Sequence, residues 1–142
     1  MTGTRKYCTF HLDGMLFGLD VEVAQEIVPA QPITRVPLAP SAVRGLINLR
    51  GQIITAIDLR RRLSLADRTS LAPTNIVIRD ERNLLSMLVD DIGDVVEVDD
   101  AAFEPAPETL ADGARELIRG AYKLDRGLLL VLDSAKAIDI DD

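Results

Sequence analysis

Residues 118–133 read Ile-Arg-Gly-Ala-Tyr-Lys-Leu-Asp-Arg-Gly-Leu-Leu-Leu-Val-Leu-Asp, and moved back 75 positions they lie without a gap on residues 43–58. Arg44 and Arg119, Gly45 and Gly120, Leu49 and Leu124, and Asp58 and Asp133 are identical pairs. Val43/Ile118, Ile53/Leu128, Ile54/Leu129, Ala56/Val131 and Ile57/Leu132 keep their apolar character. Each copy reads as two β-rich stretches around a turn, closed by an aspartate suited to cap a short helix. Upstream, each half repeats a pair of prolines, Pro37 and Pro40 in one and Pro105 and Pro107 in the other. Each half carries roughly five strand signals, and five short strands leave two exposed edges unless the sheet curls. The expected fold is therefore mainly β, two small five-stranded β-barrel subdomains in a pseudo-duplicated arrangement with short helices and a shared core. The polar stretch 64–73 places the first barrel at about 14–70 and the second at about 75–132, with terminal segments packing on the opposite barrel.

Local patterns fill in this frame. Asp13-Gly14 is a two-residue hairpin turn that sets Leu12 against Met15, Phe10 against Phe17 and Cys8 against Leu19. Asp20 is placed to cap a helix over 21–28, with Glu22, Gln25 and Glu26 on its polar face and Pro29 ending it. In 43–58 the turn falls at Arg50-Gly51. A strict two-residue loop would set Asn48 opposite Ile53 and Leu49 opposite Gln52, leaving no purely polar face, so either both faces are covered or the turn is longer. Asp58 reads as an N-cap for a brief turn in which Leu59 and Leu63 pair. Arg60, Arg61 and Arg62 point in three directions on that turn and read as solvated, as do the carboxylates of the acidic stretch from Asp90 to Asp100.

Charge and composition exclude several functions. The 142 residues carry a net charge of −7, the wrong sign for a polyanionic nucleic acid or an anionic membrane surface. One cysteine, Cys8, and one histidine, His11, make neither a disulfide nor a zinc set and fit a reducing, cytosolic setting. The aliphatic run 128–132 is far too short to span a membrane. Phosphate loops, nucleophile elbows and calcium-loop spacing are missing, so the expectation is a protein-binding module with no cofactor, no metal and no catalytic residues.

The most specific run is Val-Arg-Gly-Leu-Ile-Asn-Leu-Arg-Gly at 43–51, continuing to Ile-Asp-Leu-Arg at 57–60. With Phe-Gly-Leu-Asp-Val at 17–21, Gln-Glu-Ile at 25–27 and Ile-Thr-Arg-Val-Pro at 33–37, it resembles the CheW family of chemotaxis coupling proteins over nearly the whole chain. The resemblance implies two five-stranded barrels and a non-enzymatic adaptor. Such an adaptor joins the cytoplasmic hairpin of methyl-accepting chemoreceptors to the regulatory domain of a CheA-type histidine kinase, and is a cytoplasmic protein recruited to membrane receptor arrays through those partners. It implies a receptor-facing surface on Gln25, Glu26, Asn48, Leu49, Arg50 and Gly51, and kinase contact through barrel edges. Asp20, Gly45, Asp58, Gly120 and Asp133 read as structural turns or caps. Ala24, where the family usually has a larger apolar residue, and Thr55, where proline is common, are departures; the first is expected to retune receptor affinity, and the second to restore a donor on a possible edge strand. The alternatives are a coupling protein of a pilus or gliding pathway, which no residue here distinguishes, and a ligand-binding β-barrel enzyme, which the missing catalytic groups disfavour. A chain of this mass exposes about 7,200 Å² by size scaling, room for three patches of about 800 Å².

Overall fold

The computed structural model describes residues 3–66, 72–81, 83–110 and 112–140. Among them the strands, in chain order, are β1 (Thr4–Leu12), β2 (Met15–Asp20), β3 (Ala24–Val28), β4 (Val43–Leu49), β5 (Gln52–Asp58), β6 (Thr74–Asp80), β7 (Asn83–Val89), β8 (Asp91–Asp99), β9 (Ile118–Leu124) and β10 (Gly127–Leu132). Single-turn helices α1 (Leu59–Arg62), α2 (Asp112–Arg115) and α3 (Ser134–Ala137) punctuate them. The first sheet has the order β8-β1-β2-β10-β9 and the second β3-β6-β7-β5-β4. The fold is mainly β with two five-stranded sheets, as expected, but the hydrogen bonding leaves both sheets open, so neither is a closed barrel. One antiparallel bridge covers the outer side of β4, Thr34 to Leu46, and another that of β9, Glu104 to Ala121.

The sheets do not divide the chain at 64–73. The second sheet takes residues from 24 to 89, and the first takes β1 and β2 together with β8, β9 and β10. In terms of the repeats, β1–β5 and β6–β10, each unit keeps three strands in one sheet and gives its leading hairpin to the other. The seams are parallel pairings, β5 on β7 with Ala56 beside Ser86, and β10 on β2 with Val131 beside Gly18. The polar break marks the boundary between repeats, and its middle, residues 67–71, lies outside the described residues. The exchange happens instead at connections that carry no linker composition, the three residues between β2 and β3 and the single Asp90 between β7 and β8.

The duplication itself extends to detail. Pairing slips by one residue between Val43–Ile57 and Gly45–Ala56, and between Ile118–Leu132 and Gly120–Val131, the same bulge at the same repeat position. Asp58 N–H donates to Ala42 at 2.7 Å and Asp133 N–H to Leu117 at 2.8 Å. Both aspartates cap the helix that follows, accepting from Arg61 N–H at 3.3 Å and Lys136 N–H at 3.2 Å. At Gly45 a Cβ would collide with the Thr34 carbonyl, and at Gly120 with that of Glu104 and the Phe103 ring, so each glycine seats the segment that covers its strand. Between the sheets lies a shared core, where Phe10, Leu12, Phe17 and Leu19 meet Ile76, Ile78, Met87 and Val89 under Leu59 and Leu63.

Three local expectations are corrected. Residues 24–28 form strand β3 rather than a helix. Asp20 Oδ1 accepts from Glu22 N–H at 2.9 Å and closes a single turn, after which the chain finds a ladder on β6 that a helix of so few residues, with its costly first turn, cannot match. The three arginines do diverge, but they are ties rather than solvated charges. Arg60, 5% exposed, donates from Nε to Asp90 Oδ1 at 2.7 Å and from Nη2 to Asp90 Oδ2, with Asp13 at 3.5 Å. The Asp90 hydrogen bonds, ahead of an opposing effect of burial, hold the Arg60 pKa above its ordinary value. Arg61 donates to the Ser41 carbonyl at 3.1 Å, and Arg62 caps the end of α3 through the carbonyls of Ala137 at 3.0 Å and Lys136 at 2.8 Å. Asp90 is accordingly a largely buried ion-pair partner rather than a solvated strand end.

Asp58 is 5% exposed and also receives Arg44 Nη1 at 2.9 Å, whereas Asp133 meets Arg119 only at 3.8 Å. Asp58→Ala is therefore expected to cost about 2 kcal/mol and Asp133→Ala about 1 kcal/mol, a cap alone. Thermal melting, at roughly 3 °C per kcal/mol for a chain of this size, checks the ranking, and equal losses would contradict it.

Candidate functional site

The hairpin β4–β5 turns on two residues only. Leu49 pairs with Gln52 and Asn48 with Ile53, and the strict loop is achieved with Arg50 at φ 53° and Gly51 at φ 88°. That double left-handed geometry is the type I′ turn that matches strand twist, natural for glycine and uncommon for arginine. Asn48 offsets the cost, its Oδ1 accepting the Gly51 N–H at 2.8 Å. Both faces of the hairpin are partly apolar because Ile54 is buried against the second sheet's own core while Ile53, 60% exposed, faces outward.

In the second sheet β3 and β4 are opposite edges, yet Glu26 of β3 forms an ion pair with Arg50. The sheet curls until its two edges are latched by a side chain rather than by a ladder, and Val28 and Ile47 from those same edges share one apolar cluster inside the curl. Gln25, Glu26, Leu49 and Arg50 line the cleft so formed, about 440 Å³ in volume, with Gln52 and Arg79 beside them. The Arg50 side chain is 70% exposed while contacting Glu26, so its remaining donors face outward from a rigid turn.

Of the six residues expected at a partner surface, four therefore line one cleft, and Asn48 and Gly51 build the turn that presents Arg50. Asp20, Gly45, Asp58, Gly120 and Asp133 lie apart from it, at the turns, caps and close approaches already described. Ala24 packs half-buried against the shared core. Thr55 pairs with Leu46 on one side and Leu85 on the other, which makes β5 an interior strand rather than an edge. His11 is exposed and lines a separate cleft of about 590 Å³ with Asp94, Thr109 and Arg126.

Sequence reasoning passed over two apolar residues. Ile27 on β3 is 45% exposed and Val95 on β8 is 60% exposed. They pair with Ile76 and Cys8, which register makes equivalent in the two sheets, so both uncovered sheet edges show an apolar side chain at the same place. Their signal, a branched apolar residue next to polar ones on a short strand, is visible in the sequence, but it identifies a surface only once β3 and β8 are known to be edges.

Comparison with known proteins agrees with this architecture. A crystal structure of the scaffolding protein TtCheW from Thermoanaerobacter tengcongensis superposes with a TM-score of 0.85 at 27% identity, covering 98% of this chain and 95% of that one. Chemotaxis protein CheW of Bacillus subtilis is 31% identical over 135 residues, 94% of this chain and 86% of that protein. The probable chemotaxis protein CheW of Rhizobium etli is 29% identical over 132 residues, 92% of this chain and 85% of that protein. The CheW-like domain matches residues 6–141, and the chain belongs to that family.

Proposed function

We propose that the protein is a non-enzymatic chemotaxis adaptor that couples methyl-accepting receptors to a CheA-type histidine kinase, and is drawn to membrane receptor arrays by those partners. The observation that carries this reading is the Arg50–Glu26 latch. It sets an outward guanidinium on a strained, hydrogen-bonded turn at the mouth of a polar cleft, a fixed fork suited to carboxylates and carbonyls of a helical hairpin. The kinase contacts fall in this reading on outward apolar side chains of the edge strands, Ile27 of β3, which alternates with Glu26 along the strand, and Val95 of β8, equivalent docking points for partner barrels. An accessible surface of 8443 Å² leaves room for one receptor patch and two kinase patches of about 800 Å² each.

Separate surfaces must be separable by mutation. Arg50→Glu is expected to weaken receptor-hairpin binding by more than about tenfold, through charge reversal at the contact and repulsion from Glu26, while affinity for the isolated kinase regulatory domain stays within about twofold. The double exchange Glu26→Arg with Arg50→Glu restores the internal pair and is expected not to restore receptor binding. Titration calorimetry with both partners, with circular dichroism as fold control, checks this. Equal loss for both partners would mean one shared surface, and full rescue by the exchange would make Arg50 a positioning residue for the latch alone.

A further inference from the structure

The two halves of the duplicated fold differ at one mouth. Register equates Arg5 with Pro73, Tyr7 with Asn75, Arg119 with Arg44 and Tyr122 with Ile47. In the second sheet this place is shut. Asn75, fully buried, donates to the Pro29 carbonyl at 3.1 Å and accepts from Ser86 at 2.6 Å, and Arg44 is held on Asp58 at 2.9 Å. In the first sheet it is open, with a cavity of about 470 Å³.

The open mouth has the features of a built site. Tyr7 and Tyr122 form its floor, both at least 97% buried, with ring centroids 5.8 Å apart. Phe103, 45% exposed, stands as a wall 5.3 Å from Tyr122, seated against Gly120 where any Cβ would displace it. Two arginines stand at the rim. Arg5 spends Nε on Asp100 at 2.8 Å, and Arg119, 61% exposed, reaches Asp133 only at 3.8 Å, so its guanidinium is much less committed than that of its repeat partner Arg44. Burial, and next a hydrogen bond with the Tyr7 hydroxyl, push the Tyr122 pKa up to about 12.

We propose that this mouth binds a small organic anion, a carboxylate or phosphate monoester joined to a flat ring, with the anionic head on Arg119 and Arg5 and the ring against Phe103. Guanidinium forks match both head groups bidentately, and a flat ring finds an aromatic wall. The cavity lies within the roughly 300–1,000 Å³ typical of small-molecule pockets. Each rim guanidinium meets a single carboxylate, Arg5 through Nε on Asp100 and Arg119 at 3.8 Å from Asp133, and so keeps further donors to offer an anionic head group. This assignment is independent of the adaptor reading, since none of its residues belongs to the Arg50 cleft.

The chain has only two tyrosines and no tryptophan, so tyrosine ring signals in NMR report on this site alone. The full-length protein is titrated with benzoate, phenyl phosphate, inorganic phosphate and benzyl alcohol. Saturable tyrosine shifts are expected with at least one of the two ringed anions, the tighter one identifying the head group, and binding of phosphate or benzyl alcohol about tenfold weaker. Arg119→Ala is expected to lower affinity about tenfold with an unchanged melting temperature, and Arg44→Ala at the equivalent shut position to leave it unaltered. If Arg119→Ala melts early, Phe103→Leu replaces it and is expected to reduce the ringed anions to the level of inorganic phosphate. No saturable shift up to roughly 10 mM of either ringed anion, phosphate alone binding as tightly, or undiminished binding in these variants would overturn the assignment.

Discussion

The constraint on which this structure rests is that neither repeat completes its own sheet. Three strands of each unit are joined by a hairpin from the other, through parallel pairings of β5 on β7 and β10 on β2. Parallel neighbours need a long crossover, and here β5 reaches β7 by way of α1 and β6, while β2 reaches β10 only through all the strands between them. The central core is consequently common property, with the inner faces of both exchanged hairpins meeting beneath α1. Arg60 ties the place where the chain changes sheets, gripping Asp90 between β7 and β8 and approaching Asp13 in the β1–β2 turn. A buried pair of this kind adds little net stability over an apolar substitute, but losing one partner strands a charge, so it favours one arrangement of the exchanged hairpins over others.

The interlock also explains where function can be placed. With the interior strands committed to the seams, recognition is left to the turns and to the two uncovered edges. The curl of the second sheet brings its far edges together at Glu26 and Arg50, so residues 24 positions apart in sequence present one surface. Duplication then supplies two apolar edges of the same kind, Ile27 and Val95, and two mouths that have diverged, one sealed by Asn75 and one floored by tyrosines. A duplicated fold keeps backbone details such as the bulge at Gly45 and Gly120 because they hold the strands, while side chains at the mouths are free to differ.

Much of this was legible from residue patterns. The ungapped repeat announced both hairpins, both aspartate caps and the paired glycines, and the Asp13-Gly14 turn fixed the β1–β2 register down to Phe10 against Phe17. The exchange between repeats was not legible, because a one-residue connection at Asp90 and a three-residue turn after Asp20 look like ordinary punctuation. Residues 24–28 misled for a related reason: apolar positions three and four apart fit a helix and an edge strand alike, and the available ladder on β6 decided between them. The arginine run misled because charge at a helix turn is usually solvated, and the carboxylate that buries Arg60 lies 30 positions away. In the proposed surface, Arg50 was visible through its motif, but its latch to Glu26 required the curl.

The interlock is tested most directly by cutting the chain between repeats. A protease site placed within 67–71 yields two fragments that correspond to β1–β5 and β6–β10. If the hairpins are exchanged, the nicked protein stays together on gel filtration, melts in one transition and separates only in denaturant, and neither fragment alone gives a cooperative melt. Two fragments that part in native buffer, each with its own sheet signature and its own transition, would contradict the account.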